Sequence, residues 1–176
     1  MRTIKGKQFV PLITKEVLDK KIKELALQLE KDFDGKDPLF VGVLNGSFMF
    51  LSELFKNIKM ACEVSFVKVK SYQEMSSTGQ VKELIGLSEN IENRHVVIVE
   101  DIIDTGNTMK EILPAFHKQN PASISILTLL HKKAATVVPL KIDYVGFEVE
   151  NKFVIGFGLD FDGLGRNIDE IMILAE

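Results

Sequence analysis

An apolar run that leads directly into acids most constrains the fold of this chain. Residues 96–99 read "VVIV", and Glu100, Asp101 and the polar turn "DTGNT" at 104–108 come after them. A short apolar run between polar segments is typical of a strand buried on both faces. Because helices usually cover such a sheet, the segment predicts an α/β fold with polar groups at the carboxyl end of a strand.

The rest of the chain alternates similar apolar runs with helical patterns. Residues 39–44 and 122–130 are predicted strands. Residues 14–33 are a predicted helix, because leucine and isoleucine recur there every three or four positions. Further helix patterns cover 48–58 and the segment after the opening motif, where Pro114 predicts a kink or a late start. The alternation predicts a parallel twisted sheet flanked by helices, with its motifs meeting at one edge.

The turn at 104–108 carries donors suited to a phosphate group. Free N–H groups at the start of a helix attract anions, and Gly106 permits close approach of the backbone. The hydroxyl groups of Thr105 and Thr108 add further donors. The spacing and the lysine of a P-loop are absent. The turn therefore predicts a site for a phosphomonoester.

Glu100 and Asp101 would repel a bare phosphate, so they should face another group. Sugar hydroxyls would suit them, and so would Mg²⁺ held between carboxylates and pyrophosphate. A phosphorylated sugar satisfies both halves of the motif. Two alternatives stay open at this point: a solvated turn whose acid or threonine only caps a helix, and a phospho-acceptor receiver domain. Receiver domains usually carry their acid pair near the start of the chain.

Composition narrows the classes of partner. The net charge of -3 and the pI near 5.7 argue against a general nucleic-acid surface. The single cysteine, Cys62, cannot form an intramolecular disulfide, which fits a reducing compartment. No run reaches the roughly 18 apolar residues of a membrane span, and the N-terminus lacks a signal-peptide pattern. We therefore expect a cytoplasmic protein without nucleic-acid or membrane partners.

The segment "VVIVEDIIDTGNT" resembles the phosphoribosyl-pyrophosphate (PRPP) signature of the type I phosphoribosyltransferases. "VGVLNGSFMF", "VKVKSYQEMSSTGQVKE" and "LTLLHKKA" follow the pattern of the family's hypoxanthine-guanine branch. The C-terminal "KFVIGFGLDFDGLGR" points to the same 6-oxopurine branch. The resemblance implies one domain over 1–176, with a core at roughly 36–150, a hood from 1–13 and 151–176, and a mobile lid at roughly 71–83.

The resemblance also implies a role for each motif on the ribose side. Asp104 would be the general base near N7 of the purine, as well as part of the PRPP site. Glu100 and Asp101 would face the ribose hydroxyls and contribute to a metal site. Ser71 and Tyr72 would reach the reaction centre when the lid closes. The 5′-phosphate would be held by Thr105, Gly106, Asn107 and Thr108.

Pyrophosphate would be bound by a loop and an arginine. Leu44, Asn45 and Gly46 match the pyrophosphate loop, where the family often has a cis peptide between the first two residues. Many relatives carry Lys or Arg at position 45, so the uncharged Asn45 leaves more of the pyrophosphate charge to Arg166 and metal. The guanidinium of Arg166 offers a planar fork of donors to phosphate oxygens. Asp160 would contact Mg²⁺ on the pyrophosphate.

The purine would be read by three residues. Lys132 would donate to the exocyclic O6, and a donor-only ammonium cannot accept from the 6-amino group of adenine. Phe153 would stack on the base, and the backbone of Val154 would contact the base edge. Two neighbours of these motifs, Lys133 and Asp162, are expected to be solvated surface charges.

The implied activity is Mg²⁺-dependent transfer of 5-phosphoribosyl from PRPP to N9 of hypoxanthine and guanine. The products would be IMP or GMP and pyrophosphate, and the family implies a homodimer or homotetramer. Two alternatives remain: a PRPP-sensing regulator without the chemistry, and an enzyme for a pyrimidine, adenine or xanthine. Xanthine is the hardest to exclude, because it too carries a 6-oxo group.

Overall fold

Ten strands and three helices make up the part of the chain that the structure describes. This computed structural model covers residues 1–72, 81–87 and 89–175, without the side chains of 70–72 and 81–85. The helices are α1 (Lys15–Asp32), α2 (Phe48–Asn57) and α3 (Asn107–His117). The strands are β1 (Arg2–Ile4), β2 (Lys7–Ile13), β3 (Leu39–Val43), β4 (Glu63–Tyr72), β5 (Val81–Ile85), β6 (His95–Ile103), β7 (Ser123–His131), β8 (Tyr144–Glu148), β9 (Val154–Ile155) and β10 (Ile171–Leu174).

The larger sheet has the order β5-β4-β3-β6-β7-β8 within those residues. Neighbouring strands are parallel except for β5, which pairs antiparallel with β4. From β3 the chain moves first to β4 on one side and later to β6 on the other. Ligands of open α/β sheets bind beyond the carboxyl ends of the strands at such a reversal. Residues 44–46 follow β3 and residues 104–108 follow β6, so the fold brings both predicted motifs to this reversal.

Helices cover both faces of the larger sheet. On one face, α1 and α2 pack against Phe40, Val97 and Leu127. On the other face, α3 packs against Val41 and Ile98. No helix in the described part of the chain is long and apolar enough to cross a membrane. The predicted parallel sheet flanked by helices is confirmed, and α1 buries the predicted stripe: Leu18, Ile22, Leu25 and Leu29.

Two element boundaries differ from the sequence prediction. The strand predicted to end at Val99 continues as β6 to Ile103, because β7 pairs with it as far as Ile103 and His131. The acids therefore lie within the last part of a strand and not after it. The late start predicted for α3 is wrong, since the helix begins at Asn107 and contains Pro114. Pro114 is exposed, so the carbonyl that loses its partner can face water.

A smaller antiparallel sheet, the hood sheet, joins the two ends of the chain. Its order is β1-β2-β10-β9, so the two N-terminal strands lie on one side, the two C-terminal strands lie on the other, and β2 pairs directly with β10 between them. Phe9, Ile155, Ile168 and Met172 form its core. The sequence did not predict β10. The hood sheet carries the segment after β9, which contains Asp160 and Arg166.

Candidate active site

The turn predicted to hold a phosphate opens onto a cavity at the end of β6. The cavity measures about 270 Å³ and is lined by residues 100–109. Gly106 stands at the N-cap of α3 with φ +86°, and a Cβ there would lie 2.9 Å from Leu140 Cδ1. The positive φ therefore favours glycine at this position, and the nearby side chains leave little room for a larger residue. The first amide groups of α3 have no acceptor within the helix, so this end can bind an anion.

The loop after β7 holds this turn through hydrogen bonds to its backbone carbonyl groups. The amide groups of Val137 and Val138 both donate to the carbonyl of Thr105, at 3.1 and 3.3 Å. The hydroxyl of Thr136 donates to the carbonyl of Asp104 at 2.7 Å. Thr136 was not singled out by sequence, because its role depends on how this loop folds back and no motif marks it. These bonds fix the backbone of the turn relative to β7.

Asp104 and Lys132 form an ion pair beside the cavity. Lys132 Nζ donates to Asp104 Oδ2 at 2.9 Å. The Lys132 side chain is 9% exposed, whereas that of Asp104 is 44% exposed. Lys132 is fixed because its amide donates to the carbonyl of Ile103, across the β6–β7 edge. The predicted base and the predicted O6 donor thus lie in direct contact, with the carboxylate open to a ligand.

A second group of predicted residues meets around Gly46. A Cβ on Gly46 would lie 1.6 Å from Asp101 Oδ2, so only glycine allows the carboxylate to lie against the loop. A Cβ on Gly158 would lie 2.0 Å from the carbonyl oxygen of Gly46. The loop after β3, the acid on β6 and the segment after β9 are therefore in contact. This contact brings the hood segment to the carboxyl edge of the larger sheet.

Arg166 is held in place next to this contact. Its Nη1 donates to the carbonyl of Gly158 at 2.7 Å, and its Nη2 pairs with Asp160 Oδ1 at 2.6 Å. The other oxygen of Asp160 accepts from the amide of Gly163 at 2.7 Å. Asp162, in contrast, is 70% exposed and pairs with Lys5 at the surface. The carboxylate of Asp160 and the guanidinium of Arg166 therefore form an ion pair within this segment.

The two acids of β6 have raised pKa values. Burial raises the pKa of Asp101 to about 6, and this rise is opposed by the Ile102 amide and by the positive charge of Arg166. Burial, and then the charge of Asp101, raise the pKa of Glu100 well above its usual range. A cation in the cavity would relieve both effects. The chemistry of these donors therefore fits Mg²⁺.

The protein does not provide a complete metal cage on its own. The described residues contain no group of three or more His, Cys, Asp or Glu side chains placed to hold an ion. Mg²⁺ often binds through one or two carboxylates plus substrate phosphates and water. Glu100, Asp101 and Asp160 fit that kind of shared site, in which a pyrophosphate supplies other ligands.

We expect Asp101→Asn to stabilise the protein at neutral pH. Since burial raises the pKa of Asp101 from its ordinary value near 3.8 to about 6, the folded state binds more protons than the unfolded state between these values. This acid's contribution to the free energy of unfolding is therefore full below pH 4 and falls as the pH rises to 6. The variant should gain about 1–2 kcal/mol above pH 6 and nothing near pH 4.

Urea unfolding of both proteins between pH 4 and pH 8 tests this expectation. Asp162→Asn is the matched control, because it makes the same change at an acid that is exposed at the surface. A difference between Asp101→Asn and the wild type that stays constant across this range would contradict the assigned cause.

Phe153 and Val154 lie where the hood sheet begins. Val154 is 6% exposed and packs into the same core as Leu129 and Leu130. Phe153 is 44% exposed and makes an edge contact with Phe161 at 5.6 Å between ring centroids. Its described ring contacts are within the hood, so its stacking on a base stays a prediction.

The predicted pyrophosphate loop begins with a cis peptide and a contact to a lysine of the neighbouring strand. The peptide between Leu44 and Asn45 is cis. Asn45 is exposed, and its Oδ1 accepts a hydrogen bond from Lys68 Nζ at 3.3 Å. Lys68 was missed by sequence reasoning, because its closeness to the loop depends on the pairing of β3 with β4. The loop itself is uncharged, but the ammonium group of Lys68 lies directly beside it.

The predicted lid falls largely outside the described residues. Ser71 and Tyr72 are the last residues of β4 and pair through their backbones with Lys82 and Val81. Their side chains, and residues 73–80 of the lid predicted at 71–83, are not among those described. The role of the lid stays a prediction.

Comparisons with known proteins agree with this geometry. A family model described as a phosphoribosyl transferase domain matches residues 14–162. A hypoxanthine-guanine phosphoribosyltransferase from Streptococcus mutans is 44% identical over 166 residues, which is 94% of this chain and 92% of that protein. A crystal structure of a hypoxanthine phosphoribosyltransferase from Staphylococcus aureus has a TM-score of 0.87 at 37% identity, covering 94% of this chain and 91% of that one.

A third similar protein is named for three purine bases. The structure of a hypoxanthine-guanine-xanthine phosphoribosyltransferase matches with a TM-score of 0.82 at 36% identity, covering 95% of this chain and 97% of that one. The family model spans most of the sequence, and both the Streptococcus and the Staphylococcus proteins align over nearly the whole of it. This chain belongs to the phosphoribosyltransferase family.

Proposed function

We propose that this chain transfers the 5-phosphoribosyl group of PRPP to N9 of hypoxanthine and guanine in purine salvage. The products are IMP or GMP and pyrophosphate. The single observation that carries the proposal is the ion pair of Lys132 and Asp104, at 2.9 Å, beside the phosphate turn. It combines a donor-only group for O6 with a carboxylate for N7 at the edge where a phosphorylated sugar would bind.

The ribose phosphate would be oriented by the turn at 104–108. Backbone N–H groups at the start of α3, with the hydroxyls of Thr105 and Thr108, donate to the 5′-phosphate. Glu100 and Asp101 face the ribose hydroxyls. The purine and PRPP would both be held at the carboxyl edge of the sheet, so that a bimolecular reaction becomes effectively unimolecular. Such positioning can supply a large part of an enzyme's rate enhancement.

The reaction exchanges one bond at C1 of the ribose for another. The bond from C1 to the pyrophosphate oxygen breaks with its electron pair, and the N9 lone pair forms the new bond to C1. The purine then loses its N7 proton, which Asp104 accepts. Arg166 and the amide groups of the loop at residues 44–46 take up charge on the departing pyrophosphate. Lys132 holds O6, so the base presents N9 to the sugar.

Mg²⁺ would be held by Asp160 with Glu100 and Asp101, and would neutralise charge on the pyrophosphate. We further propose that the protein works in the cytoplasm as a homodimer or homotetramer. The family resemblance supports the oligomer, and the single Cys62 fits a reducing compartment. Light scattering on the purified protein would measure the assembly directly.

A panel of bases assayed with PRPP and Mg²⁺ tests the function. Hypoxanthine and guanine should turn over, while adenine should show a kcat/KM lower by about 1,000-fold, because its amino group cannot accept from Lys132. Turnover with no purine would overturn the proposal, and binding of PRPP without any turnover would favour the regulator. Adenine as the best substrate would contradict the role of Lys132.

Xanthine is the second candidate substrate. Its 6-oxo group can accept from Lys132 as well as that of hypoxanthine. The hypoxanthine-guanine-xanthine phosphoribosyltransferase that is 36% identical to this chain gives a specific reason to include xanthine in the panel. Turnover of xanthine beside hypoxanthine would widen the substrate range without changing the assigned roles.

A further inference from the structure

We propose that Lys68, on β4, supplies the positive charge for pyrophosphate that the loop at residues 44–46 lacks. The inference rests on the proposed function, because it concerns the pyrophosphate of PRPP. Leu44, Asn45 and Gly46 all lack a charged side chain. The ammonium of Lys68 lies 3.3 Å from Asn45 Oδ1, so a cation is present at the same loop but comes from the neighbouring strand.

The fold fixes Lys68 next to this loop. β3 and β4 run parallel, with Val43 opposite Val67, so both strands reach the same edge together. The amide of Leu44 donates to the carbonyl of Val67 at 2.8 Å, which ties the first residue of the loop to the residue before Lys68. On its other side, Lys68 pairs with Ile85 of β5. The lysine is thus anchored by its backbone between two strands.

The contact between Lys68 and Asn45 leaves both groups able to bind phosphate. An ammonium has three donors, and Asn45 uses only one of them. Asn45 accepts through Oδ1, so its Nδ2 group remains a donor for an anion. Lys68 is only partly buried, so its charge does not depend on a protein partner. The pair can therefore act together as a charged donor group, as a lysine within the loop would alone.

The other charges of the protein at this site favour such a cation. Arg166 already pairs with Asp160 at 2.6 Å, so its charge is partly neutralised before PRPP arrives. Asp101 lies against Gly46, which adds a negative group next to the same loop. Without Lys68, the highly charged pyrophosphate would meet an uncharged loop beside an acid. Charge-assisted hydrogen bonds are about twice as strong as neutral ones, so the amide of Asn45 alone is a weak substitute.

The first test is Lys68→Met, which keeps most of the length of the side chain and removes its charge. We expect the KM for PRPP, and the KM for pyrophosphate in the reverse reaction, to rise by about 10-fold. The KM for hypoxanthine should stay unchanged, because Lys68 lies beside the loop at residues 44–46, whereas the proposed contact to the base comes from Lys132 after β7. Lys68→Arg should keep the wild-type values. Lys23→Met, on the exposed side of α1, is the matched control and should change nothing.

The second test returns the charge to the loop. Asn45→Lys combined with Lys68→Met should bring the KM for PRPP back to within about 3-fold of the wild type, because a charge at either position reaches the same phosphate. An active wild type whose KM for PRPP is unaffected by Lys68→Met would overturn this inference alone. Equal rises in the KM for PRPP and for hypoxanthine, or no recovery in the double variant, would also overturn it. A wild type without any turnover would instead overturn the proposed function.

Discussion

Asp104→Asn should lower kcat by about 100- to 1,000-fold and leave the KM for PRPP within about 3-fold, as expected for loss of a general base. Asparagine has nearly the shape of aspartate, but its amide cannot take the N7 proton. The backbone of the turn should stay in place, because the hydroxyl of Thr136 bonds the carbonyl of residue 104 and not its side chain. Steady-state kinetics with hypoxanthine and PRPP measures the effect.

The control for this change is Asp162→Asn, which neutralises an exposed acid of the hood segment and should leave kcat unaltered. A kcat within 10-fold of the wild type for Asp104→Asn would show that the proton leaves by another route. A large rise in the KM for PRPP with an unaltered kcat would assign Asp104 to binding and not to chemistry. Circular dichroism of the variant excludes a folding defect.

The parts of the site that depend on neighbouring residues in sequence could be predicted from sequence. The apolar run before Glu100, the glycine at 106 and the hydroxyls beside it are all encoded within one short segment, and their physical reasons are local. The parallel sheet also followed from local patterns. The pairing of β6 with β7 beyond Val99 could not be predicted in this way, since the hydrogen bonds that extend the strand come from a distant segment.

Residues that act through contacts between distant segments were harder to find. Lys132 was identified by resemblance, and its ion pair with Asp104 appeared only once β6 and β7 were paired. Thr136 belongs to no motif, and nothing within the segment "VKVKSYQEMSSTGQVKE" distinguishes Lys68, because each reaches the site from a neighbouring loop or strand. The sequence "IMIL" of β10 is too short to show periodicity, and its pairing with β2 depends on the two chain ends meeting.

Two glycines allow three segments of the site to approach one another closely. Gly46 leaves room for the carboxylate of Asp101, and Gly158, at φ +103°, leaves room for the carbonyl of Gly46. A larger side chain at Gly46 would displace the carboxylate of Asp101, and one at Gly158 would separate the loop at residues 44–46 from the segment carrying Arg166. The same closeness buries Asp101 and raises its pKa, so the arrangement lowers stability where it prepares a site for a cation. This exchange of stability for a binding geometry is common at active sites.

Lys132→Met should raise the KM for hypoxanthine by about 100-fold, the effect of losing a hydrogen bond to a charged group in a shielded site. The side chain is 9% exposed, so water cannot readily replace the ammonium at O6. Selectivity should fall at the same time, because a methyl thioether neither bonds the 6-oxo group nor rejects the 6-amino group. Kinetics with hypoxanthine and adenine at saturating PRPP measures both effects.

Lys133→Met is the matched control, since the Lys133 side chain is 73% exposed and meets Glu148 only at 3.6 Å. It should leave the KM for every base unaltered. Because Lys132 and Asp104 touch, the double variant with Asp104→Asn should lose less than the product of the two single effects. Full multiplication of the effects would mean that the ion pair does not couple base recognition to proton removal. An unaltered KM for hypoxanthine in Lys132→Met, with adenine still rejected, would mean that another group reads O6.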